Sequence, residues 1–396
     1  MNGRPSLLVV VSRYGDVPGG AEAHARSVVR HLAPHFAIEV ATTTATDYRT
    51  WNSELTAGID AVDGVAVRRF PVERARTIDF KLRERRAFSG GHTLEDERAF
   101  IDAQGPYAPD LLEFLFRRGR DYDHALFFQY IYYPTVLGLP LVPERAVLVP
   151  TAHEEPAIGL DIYKPVFAAP RAIAYNTEEE RGMVWRRFRN QRIPNEVVGV
   201  GIDVPADRDA ERFREKHGID GPYLLYVGRI VESKNCGELF ASFALLRRSD
   251  PAHDATLVLI GDAEMRVPKD AGIRHLGRLS EQDKWDALAG CSAFVMPSLL
   301  ESLSLVTLEA WAGGRPVIVS ARSPVLAGMA RRSRAGLAYS NPAEFAEICE
   351  LLIGDPGLGD RLGAAGSAFV ASTYTWPRVV ETYIGLFDEV RARLAA

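Results

Sequence analysis

Short apolar runs alternate along this chain with stretches of helical spacing, a pattern that argues for parallel sheets joined by helical crossovers. In the first half, strands are expected over 7–11, 37–41, 65–69, 125–128, 146–149, 172–175 and 196–200. Helices fall between them over 21–32, 94–103, 109–118 and 177–188. After Pro205 a second series begins, with strands over 223–227, 256–260, 273–276, 293–296, 316–319 and 336–338. Its helices lie over 235–246, 281–289, 306–311 and 343–353. No sequence repeat links the halves, yet both read as the same architecture. The polar stretch 201–209, with Asp203, Pro205, Asp207, Arg208 and Asp209, is the natural hinge. The expected fold is α/β: two doubly wound, Rossmann-like domains, 1–202 and 203–376, facing a central cleft.

Composition narrows the class without changing that picture. A chain of 396 residues is long for one core and comfortable for two. The net charge of −5 gives no global argument for nucleic acid or an anionic membrane. Cys236, Cys291 and Cys349 are far apart and fit no zinc spacing, so they are expected as reduced core thiols of a cytosolic protein. The opening Met1-Asn2-Gly3-Arg4-Pro5 runs straight into a strand too short for a signal peptide. The longest apolar stretch elsewhere, 136–150, is broken by Pro140, Pro143, Glu144 and Arg145, short of the ~18 residues a span needs. The expectation is a soluble, cytoplasmic protein, with peripheral contact at the inner face of a membrane left open.

The chemistry concentrates in the loops at strand ends, where such sheets bind ligands. The most informative is Glu301-Ser302-Leu303-Ser304-Leu305-Val306-Thr307-Leu308-Glu309, where an apolar strand gives way to a helix stopped by Gly313-Gly314 and Pro316. Unpaired N–H groups at a helix start suit an anion such as a diphosphate. A carboxylate on either side can accept from the hydroxyls of a sugar and a ribose. In outline this is a sugar-nucleotide site. A second loop, 228–235, sets Arg229 and Lys234 on either side of a tight connection. A guanidinium fork and a mobile ammonium neutralise a diphosphate from two directions. Two solvated surface cations are the plainer reading. Gly261 opens a third loop, and Gly277-Arg278-Leu279-Ser280 a fourth that is placed to edge a nucleotide base.

In the first half, Gly19-Gly20 precedes a helix after the first strand. Adjacent glycines let backbone approach a ligand; a flexible turn with Glu22 complementing the helix dipole is equally consistent. With no G-x-G-x-x-G and no G-x-x-x-x-G-K, a nicotinamide or ATP reading is weak. His153, next to Glu154 after the strand 146–149, is placed either to meet a sugar hydroxyl and position reacting groups or to orient its own loop. His31 and His35 flank Pro34, which ends their helix, so no metal-ligand cluster is expected.

Taken together, Gly19-Gly20-Ala21-Glu22, the loop from Gly228-Arg229 to Lys234, and the two glutamates ending at Glu309 resemble glycosyltransferase family 4. That is a family of retaining, nucleotide-sugar-dependent enzymes of the GT-B fold, and the resemblance runs over nearly the whole chain. It implies that the helix 377–396, after Tyr374-Thr375-Trp376, crosses back to complete the first domain. It implies that Glu309 holds the ribose, that Glu301 holds the donor sugar and that Arg229 and Lys234 grip the diphosphate. Amides near Gly20 and in the turn Ser302, Leu303, Ser304 and Leu305 complete the cradle, and His153 matches the cleft histidine. The implied substrate is a UDP-, GDP- or other nucleoside-diphosphate sugar, with no obligatory cofactor or metal and no nucleic-acid partner. The implied acceptor is a polysaccharide or glycolipid precursor. An epimerase on the same fold and a catalytically silent sugar-nucleotide binder are the alternatives. The family pattern differs here at Ser302 and Ser304, where glycine is common, and at Glu154, where a shorter carboxylate is common. The Arg-rich and acidic segment 72–105 has no counterpart in its motifs and lies where acceptor recognition is expected.

Overall fold

The computed structural model describes residues 3–249, 255–270 and 272–395. The chain folds into two compact units, Met1–Val200 together with Trp376–Ala396, and Gly201–Thr375.

The first unit is built on strands β1 (Ser6–Val10), β2 (Ala37–Thr43), β3 (Gly58–Val62), β4 (Val65–Phe70), β5 (His124–Phe128), β6 (Ala146–Val149), β7 (Ala172–Tyr175) and β8 (Asn195–Val197). They form one sheet in the order β3-β4-β2-β1-β5-β6-β7-β8. Every residue of β5, β6 and β7 is buried, as expected where helices cover both faces of a parallel sheet. Only β3 runs antiparallel, paired with β4. Its turn is Asp63-Gly64, both left-handed at φ 52° and 78°, the geometry of a two-residue hairpin that matches strand twist. The C-terminal helix Trp376–Ala395 packs on this unit. Trp376 stacks on His31 at 3.7 Å, and Phe387 meets Phe36 at 5.1 Å and His124 at 4.8 Å. This is the helix the family resemblance implied for the first domain.

The second unit carries β9 (Tyr223–Val227), β10 (Thr256–Ile260), β11 (Ile273–His275), β12 (Ala293–Met296), β13 (Val317–Ser320) and β14 (Gly336–Tyr339). Its sheet is parallel throughout, in the order β11-β10-β9-β12-β13-β14. The order reverses between β9 and β12, which is where an open α/β sheet forms its binding crevice. The pairing of these two strands covers only Ala293 with Leu224 and Phe294 with Leu225, so the ladder ends before their carboxyl ends. Two loops enter that gap, one after each strand.

The helix Leu305–Ala312 follows the second of those loops and is backed by the helix Pro356–Thr373. The two approach so closely that a Cβ on Gly363 would lie 1.9 Å from the Gly314 carbonyl oxygen, and one on Gly366 2.5 Å from the Trp311 ring. Trp311 is fully buried and donates its indole N–H to the Ala335 carbonyl at 2.9 Å.

Every strand expected from the sequence is present, with ends displaced by at most three residues. The hairpin strand β3 and the helices Phe80–Ala87, Ala210–His217, Pro324–Ser333 and Pro356–Thr373 were not expected. Among the described residues, no helix is long and apolar enough to cross a membrane.

Candidate functional site

The loop after β9 starts with a glycine for a steric reason. Gly228 sits at φ 150°, and its carbonyl oxygen lies 2.1 Å from where a Cβ on Gly261 would fall. Gly261 therefore has a packing reason to be glycine. The two loops stay together beyond the sheet: Ile230 N–H donates to Asp262 O at 2.9 Å, and Glu264 N–H donates to Ile230 O at 3.0 Å. This short extension lifts Arg229 to the sheet's edge, where its guanidinium lies 3.8 Å from the Glu264 carboxylate. The chain then tightens into a 3-10 turn over Glu232–Lys234 and reverses at Asn235, left-handed at φ 59°. The Asn235 amide donates to the Pro297 carbonyl at 3.2 Å and ties this loop to the one after β12.

That tie brings together residues far apart in sequence. Lys234 Nζ lies 2.6 Å from Glu301 Oε1, with the carboxylate only 12% exposed. The two groups that the resemblance assigned to diphosphate and sugar thus meet each other.

Glu309 stands one turn into the helix Leu305–Ala312. Its Oε1 accepts from Lys284 Nζ at 2.8 Å, while its buried Oε2 has no partner among the described residues. Burial pushes the Glu309 carboxyl above its ordinary range, and Lys284 pulls it partly back. Burial works to lower Lys284, but the Glu309 and Glu281 carboxylates outweigh it and hold the ammonium above its usual value. Sequence reasoning missed Lys284. Its signal was the cap Ser280 followed by Glu281 and Asp283, which starts a helix and aims its first turn at the sheet's edge.

Between the two pairs lies the turn 302–305. Ser304 adopts φ 83° and ψ 87° at the N-cap with no side-chain cap, so the first amides of the helix stay uncapped by it. A non-glycine residue in the left-handed region costs about 1–2 kcal/mol. The Ser304 hydroxyl meets that of Thr307 at 2.9 Å, which offsets part of that cost. Leu303 is buried. Arg278 pairs with Asp262 on the exposed loop after β11, beside half-buried Leu279.

In the first unit, the helix Gly20–Leu32 begins after Gly19 at φ 151°. A Cβ on Gly19 would fall 1.9 Å from Glu22 Oε2, whereas one on Gly20 would meet nothing within 4 Å. Glu22 forms a buried ion pair with Arg13 at 2.6 Å, and Arg13 also donates to the Thr46 carbonyl at 2.7 Å. Glu22 is therefore a buried partner of Arg13 as well as an acidic residue in a first helical turn.

His153 follows β6, and its carboxylate neighbour is Glu155, with Nδ1 3.3 Å from Oε1. Glu154, adjacent in sequence, is exposed. The reason is a tight reversal: Glu155 N–H donates to the His153 carbonyl at 2.8 Å and turns the second carboxylate back toward the ring. Glu155 also accepts from the Tyr130 hydroxyl at 2.8 Å. β5 and β6 both run into left-handed non-glycine residues, Gln129 at φ 64° and Thr151 at φ 48°. Such strain collects where a site is held in place by its surroundings. The three cysteines are free and buried. Among the described residues, no group of three or more His, Cys, Asp or Glu is arranged to hold a metal ion.

Residues 221–355 match the family described as Glycosyl transferases group 1. The D-inositol 3-phosphate glycosyltransferase of Frankia alni is 30% identical over 262 residues, 60% of this chain and 63% of that protein. Sucrose-phosphate synthase from Thermosynechococcus elongatus superposes with a TM-score of 0.72 at 16% identity, covering 98% of this chain and 100% of that one. The chain is similar to D-inositol 3-phosphate glycosyltransferases and has the GT-B fold. The Thermomonospora curvata enzyme of that name is 28% identical over 298 residues, 65% of this chain and 69% of that one. The Anabaena HepE protein, in complex with UDP and glucose, gives a TM-score of 0.72 at 13% identity, over 97% and 100% of the two chains. The match spans 63% of the Frankia protein's length and 64% of that of the Jonesia denitrificans relative.

Proposed function

We propose that the protein is a retaining glycosyltransferase that moves a sugar from a nucleoside-diphosphate sugar to an acceptor hydroxyl. The observation that carries this reading is the pair of carboxylate–ammonium contacts, Lys234 with Glu301 and Lys284 with Glu309, on either side of the uncapped turn at Ser304. Glu309 Oε2 is an acceptor in want of a donor, which a ribose hydroxyl supplies. Glu301 takes a hydroxyl of the transferred sugar. Arg229, Lys234 and the N–H groups at Ser304 and Leu305 receive the diphosphate, whose charge grows as the glycosidic C–O bond breaks. The anomeric centre becomes oxocarbenium-like, and the acceptor attacks from the face the diphosphate leaves. The leaving phosphate oxygen accepts the acceptor's proton, so bond-making and proton transfer balance without a protein nucleophile. The resemblance to family 4 further assigns His153 and the amide of Gly20, both in the first unit, to the donor. The UDP and glucose of the Anabaena structure support a UDP-sugar as the first donor to try. A polysaccharide or glycolipid precursor made beside a membrane is the proposed acceptor class.

A thermal-shift panel of UDP, GDP, ADP and their sugars, followed by transfer and donor-hydrolysis assays, tests the reading. A ligand at a hundredfold over its Kd stabilises by ~2.7 kcal/mol. A chain that binds a nucleotide sugar but neither transfers nor slowly hydrolyses it is a binder, and one that isomerises the sugar without acceptor is an epimerase.

The two glutamates separate in calorimetry. Glu309→Gln should weaken nucleoside diphosphate binding, since the ribose is present with or without the sugar. Glu301→Gln should spare the diphosphate and impair only the intact donor. Equal losses of diphosphate affinity would contradict that division.

Gly20 gives a cleaner probe still. Its Cβ position is open, so Gly20→Ala should leave stability within ~0.5 kcal/mol. If a diphosphate rests against this backbone, turnover should nevertheless fall by roughly tenfold or more. Unchanged kinetics would remove Gly20 from the site. Gly19→Ala is no substitute, because there the new methyl collides with Glu22.

A further inference from the structure

The peptide just before His153 is fastened from an unexpected direction. Glu180 lies in the first turn of the helix Glu178–Phe188 and is 1% exposed. Its Oε1 accepts the Ala152 N–H at 2.5 Å and its Oε2 accepts the Asn176 N–H at 2.6 Å. Ala152 follows β6 and Asn176 follows β7, so one carboxylate staples two adjacent strand ends at the sheet edge where ligands bind. No cation pairs with it among the described residues, and the nearby Tyr383 hydroxyl has no hydrogen-bond partner there. An ordinary N3 glutamate of a capped helix reaches back only to its own cap. Thr177 caps this helix in the usual way by accepting the Glu180 N–H at 3.2 Å, but the Glu180 side chain reaches past the cap to a second strand.

What it holds is a strained segment. Thr151 is β-branched and left-handed at φ 48°, a conformation that persists only when its surroundings over-determine it. The Ala152 N–H is the next backbone donor along the chain, and His153 follows it. We infer that Glu180 is a positioning residue: by fixing the Ala152 peptide it sets where the His153 imidazole and its partner Glu155 stand. This rests on the reading of His153 as part of the donor-sugar side. Glutamine keeps one acceptor but turns an NH2 toward the other backbone N–H, so Glu180→Gln loosens the staple without changing the side chain's length.

Three measurements on the full-length protein test it. In Glu180→Gln the Ala152 amide should exchange with solvent roughly tenfold faster, the loss of one hydrogen bond, and the His153 ring resonances should shift. Turnover should fall about 10–100-fold at saturating donor, with KM for donor and affinity for nucleoside diphosphate unchanged. In a His153→Ala background the same Glu180→Gln change should have no further kinetic effect. Unchanged Ala152 exchange and His153 resonances, in a variant that still binds nucleotide, would overturn the positioning role whatever the activity. Equal kinetic losses with and without His153 would overturn it too. If His153→Ala alone keeps full turnover while the resonances still move, the positioning stands and the reading of His153 in the reaction fails.

Discussion

Replacing Lys234 with alanine should cut turnover at saturating donor by roughly 10²–10³, the usual cost of one preorganised donor to developing charge. The contact of Lys234 with Glu301 makes the consequence wider than the loss of one cation. Without the ammonium, a largely covered carboxylate loses its partner at 2.6 Å and should repel the diphosphate beside it. Glu301→Gln in the same chain should then restore part of the lost turnover. A double-mutant cycle over Lys234 and Glu301 should accordingly show strong coupling, of the kind seen for residues in direct contact. Arg229→Ala should cost a comparable factor, and Glu301→Gln should not rescue it, since Arg229 meets Glu264 at 3.8 Å. Additive losses at Lys234 and Glu301, or near-wild-type turnover in either cation variant, would falsify the clamp.

The second large effect is on stability against pH. Burial pushes the Glu180 carboxyl from 4.5 up to about 8, against the pull of its backbone donors. The folded state therefore holds a proton more tightly than the unfolded chain does, and the carboxylate that accepts both backbone N–H groups gains in share as pH rises toward 8. Below 4.5 the folded and unfolded chains are both protonated and the group contributes nothing. As pH rises from 4.5 to 8 the unfolded chain alone ionises, and stability falls by about 1.36 kcal/mol per unit. The total is on the order of 3–5 kcal/mol. His24 and His124 work at the other end. Burial holds each at about 4, below the ordinary 6.5, so stability falls as pH drops from 6.5 to 4. The two histidines outweigh one glutamate between 4.5 and 6.5, so denaturant melts should give greatest stability near pH 6.5. Glu180→Gln should remove most of the decline between 6.5 and 8 and leave the acid limb in place. Buried Glu309 pulls in the same direction as Glu180, and nucleotide bound to it should change that smaller part alone. A variant with the same alkaline slope as the parent chain would show that Glu180 is ionised in the fold at neutral pH.

The elements legible in sequence are those whose burial is two-sided. β5, β6, β7 and β12 are continuous apolar runs because helices cover both faces, and each was expected within a residue of its place. β3 was missed because it is an exposed edge strand, with Gly58, Ile59, Asp60 and Ala61 all facing solvent, although Asp63-Gly64 carried the hairpin signal. The helix Pro356–Thr373 was missed because Gly357, Gly359, Gly363 and Gly366 lower its propensity, and at least Gly363 and Gly366 are there for tertiary reasons. For the site, the positions of Arg229, Lys234, Glu301 and Glu309 at strand ends were readable. Their pairings were not, because Lys284 reaches Glu309 from a helix 25 residues earlier and Glu155 displaces Glu154 through a backbone reversal. The resemblance to family 4 supplied roles that spacing alone left open.

Those same two glycines limit how this protein can change its preferences. The helix bearing Glu309 has a neighbour that comes into backbone contact, so its axis cannot slide sideways, and on the proposed reading of Glu309 it cannot shift to welcome a bulkier base or a different ribose angle. Altered specificity has to be written in the side chains of the loops after β11 and β12, over a floor that stays still.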